Sequence, residues 1–265
     1  MSGATAGADL RPVADRGAWL GFGNLARNEA AQWTRTRSAW VQPLVWLAIL
    51  VAPLLLPLVL MRELLEAETG GAFAMALQVP FQMGSLALPI GAIILLHGAI
   101  IAERETGTAA WILSKPASRA AFVLAKFAVH ASALTLVAVL LPAVVAYGAL
   151  SRAAGGALPL APYAAAFGLL ALNLLFYAAL TLVLGAFARG RGVVLAVGLI
   201  LLFGVDAALV VAPRLADAGP WMLGRMAIVL AGGGTLVTPL PLFATPAWIA
   251  AFLALAVWRV RREEF

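Results

Sequence analysis

The sequence has no cysteine, only two histidines and two lysines, and just 11% charged residues across its 265 positions. Without cysteine there is no disulfide framework, no thiolate metal site and no cysteine nucleophile. A phosphate-binding loop needs a lysine directly after a glycine. Lys115 and Lys126 follow Ser114 and Ala125, so the chain carries no such loop. So little charge cannot coat a water-exposed surface, and 63% of the residues are hydrophobic. The solvent around most of the chain is therefore lipid. The net charge of +6 is not a nucleic-acid signal, because the basic residues sit beside apolar runs. The first 38 residues hold no long apolar core followed by a small-residue cleavage site, so no cleaved leader is expected.

Crossing about 30 Å of hydrocarbon takes about 20 mostly apolar residues in a helix. Six segments meet this requirement: Trp40 to Met61, Val79 to Ala102, Ala120 to Leu150, Ala161 to Ala188, Val193 to Pro213, and Leu242 to Val260. The expected fold is an all-α integral membrane protein of six transmembrane helices. Residues 1–38 form a cytoplasmic N-terminus and 39–265 one transmembrane domain. Pro43, Pro53, Pro57, Pro89 and Pro142 lie inside these segments, and each removes one backbone hydrogen bond. Fourteen of the 18 basic residues fall on one side of the spans. Arg62, Arg152, Arg214 and Arg225 fall on the other. The rule that positive charge stays inside puts both termini in the cytoplasm of a multi-pass inner-membrane protein.

Before the first span, Trp19, Phe22, Leu25, Ala26, Ala30 and Trp33 share one helical face, with Asn24, Arg27, Asn28, Gln32 and Arg35 opposite. Such a helix lies in the membrane interface, tryptophans toward lipid and arginines toward headgroups. Glu29 interrupts the apolar face. The helix is either an interfacial anchor or a surface on which Arg27 and Glu29 meet a partner protein.

The stretch from Ile101 to Phe127 reads IAERETGTAAWILSKPASRAAFVLAKF. Gly107 can close the second span in the left-handed conformation, Thr108 can cap a short helix, Pro116 ends it, and Ser118 can cap the third span. Trp111, Ile112 and Leu113 then form an apolar triplet flanked by charge, the composition of an interface. Folding of the triplet back onto the bilayer is the alternative. This loop resembles that of ABC-2 type permeases, the type V exporter-like group, in which E-R-E-x-G-T precedes a short helix and L-S-x-P-x-S-R. Glu103, Arg104, Glu105, Gly107, Thr108, Leu113, Ser114, Pro116, Ser118 and Arg119 occupy those positions. Lys126 matches a lysine near the start of the family's third helix, and Arg27 and Glu29 resemble its amphipathic N-terminal helix. The resemblance implies a cytoplasmic coupling helix between spans 2 and 3, with Trp111, Ile112, Leu113, Lys115 and Pro116 in the contact. It also implies two copies of a separate ATPase subunit holding ATP and Mg, a second copy of this chain, and export.

Asp206 stands midway along the fifth span. A central Asp opposes insertion by about 2.5–3.5 kcal/mol, and the apolar residues around it return roughly 5 kcal/mol in sum, so the helix still inserts. Asp206 should face the bundle interior, as a pathway contact or as a structural hydrogen-bonding group. It is reminiscent of the branch of these permeases associated with nitrous oxide reductase maturation. His97 and His130 occupy comparable depth and could hold a haem or a metal between helices, or serve as hydrogen-bonded interior residues. Gly84, Gly91 and Gly98 form a small-residue stripe suited to close packing within the subunit or at a dimer seam. Residues Arg214 to Pro241 are too broken by Pro220, Gly232, Gly233, Gly234 and Pro239 to span, which fits a re-entrant or interfacial hairpin. The permease reading leads. A proton-coupled carrier using Asp206, and an intramembrane redox or metal protein using His97 and His130, are the alternatives.

Overall fold

The computed structural model describes residues 17–61, 63, 71–108, 117–211, 219–236 and 238–263, with positions 38 and 205–211 in backbone only. Among the described residues there is no strand. The α-helices among the described residues are α1 (Phe22–Arg35), α2 (Ser38–Leu50), α3 (Ala72–Leu96), α4 (Ile101–Glu105), α5 (Arg119–Leu134), α6 (Leu141–Ala153), α7 (Leu160–Phe187), α8 (Arg191–Val211), α9 (Met222–Ala231) and α10 (Leu240–Arg261).

Five helical runs among the described residues are long and apolar enough to cross a membrane: Ala39–Leu60, Ala72–Glu105, Arg119–Ala153, Leu160–Phe187 and Leu240–Arg261. They coincide with five of the six expected spans. The sixth, Val193 to Pro213, falls on α8, a helix of 21 residues. The protein is an all-α membrane protein. Trp40, Leu60, Val144 and Phe243 stand 81%, 74%, 71% and 72% exposed. An apolar surface of that kind suits lipid rather than water.

Proline reshapes two spans. After α2 the chain tightens into a 3₁₀ turn at Ala52–Leu54, then widens into a π segment at Leu56–Leu60. Pro53 and Pro57 have no N–H to give to the α ladder, so the surrounding bonds shift register. A second π segment, Thr135–Leu140, precedes Pro142, and the Leu141 N–H donates to the Leu136 carbonyl five residues back. By contrast, α3 accommodates Pro80 and Pro89 within one helix that begins at Ala72, ahead of the expected Val79.

The central helix is α7. Of its most apolar stretch 72% is buried inside the protein, against 17–39% in the other four runs. It packs on α3, α9 and α10. Glycines set these distances. A Cβ on Gly84 would lie 2.8 Å from Leu170 Cδ1, and one on Gly91 would lie 2.4 Å from Trp46 Cη2. One on Gly224 would lie 2.5 Å from Ser85 Cβ. The stripe on α3 therefore packs within the subunit at Gly84 and Gly91, not at a dimer seam. The expected hairpin contributes one ten-residue helix, α9, whose Leu223, Gly224, Met226 and Ala227 are buried. Residues 212–218 lie outside the described residues.

The N-terminal helix corrects the expectation for its apolar face. It packs on α5. Leu25 and Trp33 join the hydrophobic core rather than lipid, and Trp33 meets His130 edge-on at 5.9 Å. Trp19, just ahead of the helix, stays exposed.

Candidate functional site

Every charged contact described below joins one end of the bundle, around the two ends of the 103–119 loop. The loop leaves the second span through α4, a single turn set off from α3 by a break at His97–Ile100. Gly107 then takes φ 70°, the left-handed turn expected of it. Residues 109–116, and with them Trp111, Ile112, Leu113, Lys115 and Pro116, lie outside the described residues. Thr108, expected as a helix cap, shares a hydroxyl hydrogen bond of 2.8 Å with Thr106.

Both borders of the loop are held by polar contacts. Glu103 Oε1 accepts from Lys126 Nζ at 2.5 Å, and Lys126 also donates to Glu29 Oε1 at 2.6 Å. Lys126 is 3% exposed and Glu29 6%. A buried lysine between two carboxylates is held by charge-assisted hydrogen bonds on both sides, and it ties α1, α4 and α5 together. Glu29 therefore turns inward, where it was expected as a surface contact, while Arg27 is exposed. The interruption in the apolar face of α1 is the acid that meets the buried lysine.

Arg104 uses the guanidinium fork in three directions. Nη1 donates to the Ala188 carbonyl at 3.0 Å, and Nη2 donates to the Ala186 carbonyl at 3.1 Å and to Glu263 Oε2 at 2.8 Å. It thereby caps the C-terminal end of α7 and holds the segment after α10. Glu105 accepts from Arg191 Nη2 at 2.7 Å and from Nε at 3.1 Å, reaching the start of α8.

On the far side of the loop, Ser118 caps α5 as expected, its Oγ accepting from the Ala121 N–H at 2.9 Å. The same hydroxyl donates to the Ala18 carbonyl, and the Ser118 N–H donates to the Leu20 carbonyl at 2.9 Å. Arg119 Nη1 donates to the Arg261 carbonyl at 2.5 Å. Arg191, Glu263 and the carbonyls of Ala18 and Leu20 were not expected here. For the two charged residues a signal existed: each has the sign opposite to its partner and lies on the same side of the spans.

These contacts tie both ends of a loop between two spans to helices elsewhere in the bundle. The sequence matches the family of ABC-2 family transporter proteins over residues 24–265. The chain belongs to the ABC-2 transporter family. It is the membrane permease component of an ABC transporter. No curated protein matches it.

In this ABC-2 permease His97 and His130 have separate surroundings. His97 Nδ1 lies 2.6 Å from the Ile94 carbonyl one turn back. His130 lies against Trp33 and, with Gln32, Thr36 and Gln42, borders a cavity of about 220 Å³ between α1, α2, α3 and α5. Among the described residues no three His, Cys, Asp or Glu side chains gather where they could hold a metal ion. Asp206 lies on α8 within its backbone-only segment.

Proposed function

We propose that this permease is driven by a separate ATPase subunit that grips residues 103–119. The observation that carries the reading is the anchoring of both loop borders. Ion pairs and hydrogen bonds lead from Glu103, Arg104, Glu105, Ser118 and Arg119 to α5, to α1 through Lys126, to the end of α7, to α8, to the end of α10 and to Ala18 ahead of α1. A push on the loop therefore reaches five helices at once.

Trp111, Ile112 and Leu113 form the apolar anchor of the contact, with Glu103, Glu105, Lys115 and Arg119 around it. Central apolar anchors dominate interface energy, while rim charges set orientation. ATP and Mg belong to the partner, since this chain has no phosphate-binding loop. Two ATPase subunits act on two copies of this chain in the inner membrane. Both termini and the 103–119 loop are cytoplasmic, residues 39–265 form one permease domain, and cargo leaves the cell.

The double substitution Trp111→Ala with Leu113→Ala tests this. The permease is expected to fold and reach the membrane while ATP hydrolysis by the reconstituted complex no longer drives transport. Coupled hydrolysis and transport at the unsubstituted level would remove the loop from the mechanism.

A further inference from the structure

Two cavities lie against each other within the bundle, sharing Tyr177 and Trp221 in their walls. One, of about 210 Å³, is almost wholly apolar and aromatic, with Phe176, Trp248 and Phe252 around it. The other, of about 180 Å³, is polar, with Ser85 on α3, Asn173 on α7 and Arg225 on α9. Leu202 and Phe203 of α8 line its rim.

Among the described residues, two polar atoms in the polar cavity's walls have no hydrogen-bond partner. Asn173 is 3% exposed, and its Oδ1 accepts no hydrogen bond. The Trp221 Nε1–H is buried and donates none. An unpartnered polar atom in a low-dielectric setting is unfavourable, and a ligand that supplies the missing partner relieves that. Asn173 lies at the middle of the 28-residue α7, and so at the centre of its span.

Trp221 is held in place. A Cβ on Gly219 would lie 1.8 Å from its Cε2 and 2.3 Å from its Nε1, so the indole lies directly against that glycine. The close Gly224–Ser85 approach fixes α9 on α3 beside it.

We propose that this paired cavity binds an amide-bearing amphiphile, a hydrophobic peptide or acyl amide. One open acceptor and one open donor are the complement of an amide. Its N–H donates to Asn173 Oδ1, and its carbonyl accepts from Trp221 Nε1–H. Its apolar body lies against Phe176, Trp248 and Phe252. Calling this amphiphile the transported cargo rests on the permease reading; its binding does not.

The test uses the full chain in lipid nanodiscs without any ATPase subunit, so failure here leaves the coupling contact untouched. The probe is an N-acyl phenylalaninamide with a photoreactive acyl chain, with adducts mapped by mass spectrometry. Adducts are expected in residues 219–231 and 241–252 and around Phe176. They should fall about tenfold in Trp221→Phe with Asn173→Leu. On the unsubstituted chain, the unlabelled amide should compete about tenfold better than the matching ester, which lacks the N–H. Adducts spread over the lipid-facing surfaces of α2 and α6, or equal competition by amide and ester, would overturn the proposal.

Discussion

Lys126 on α5 and Glu29 on α1 are ion-paired at 2.6 Å, although 97 positions separate them in the chain. Glu103 completes the group from the loop border, also at hydrogen-bonding distance. The buried lysine is thus the point where the N-terminal helix, the end of the second span and the start of the third are joined.

Removing only the lysine leaves two carboxylates facing each other out of water. Breaking a buried ion pair from one side typically lowers stability by about 3–5 kcal/mol, whereas replacing the whole group by apolar residues is often neutral. Lys126→Met should therefore lower the midpoint of thermal unfolding in detergent sharply. Lys126→Met combined with Glu29→Leu and Glu103→Leu should recover most of the loss. A single substitution as stable as the native chain would mean that the group bears no structural load.

Arg104 spans two carbonyls and one carboxylate, which a lysine's compact ammonium cannot match. Hydrogen bonds to charged groups contribute about 1.5–3 kcal/mol each. Arg104→Lys should keep the bundle folded but loosen the chain after α10. Faster hydrogen exchange confined to residues 259–263 and 186–191 is the expected reading. Unchanged protection there would show that Glu263 is held without Arg104.

Much of the fold is legible in the sequence because lipid makes it so. Long apolar runs at 1.5 Å per residue fix where the spans lie, and five of them stand where hydrophobicity puts them. Local chemistry is legible too: Gly107 turns left-handed and Ser118 caps α5. What composition cannot supply is which face meets which. Glu29 reads as an exception on an apolar face until Lys126 is seen beneath it. The glycines of α3 leave a dimer seam open as the lesser reading until Trp46 and Leu170 are seen against them. The π segment at Thr135–Leu140 has no signal beyond Pro142, since Pro80 and Pro89 sit within a helix that stays α.

Two glycine substitutions separate packing from propensity. At Gly91 an added Cβ meets the Trp46 ring, so Gly91→Ala should lower stability by about 1–3 kcal/mol through overpacking. Nothing lies within 4 Å of a Cβ on Gly148 in α6. Gly148→Ala should therefore be neutral or stabilising by up to about 1 kcal/mol. Both are read as shifts in thermal unfolding of the purified permease. Equal effects at the two positions would contradict the packing described for α2 on α3.

The proposed orientation puts the connection between the first two spans outside the cell. In a chain with no native cysteine, Glu66→Cys should react with a membrane-impermeant maleimide on intact cells. Arg189→Cys, in the turn between α7 and α8, should react only after lysis. The reverse pattern would invert the orientation.

The most direct test of the account puts a photo-crosslinking amino acid at position 111 in the complete transporter. Irradiation should join this chain to the ATPase subunit in one dominant adduct, and the yield should fall when Leu113 is also replaced by Ala. If position 111 crosslinks only to lipid or to the permease's own helices, the loop does not engage the ATPase and the proposed drive mechanism is wrong.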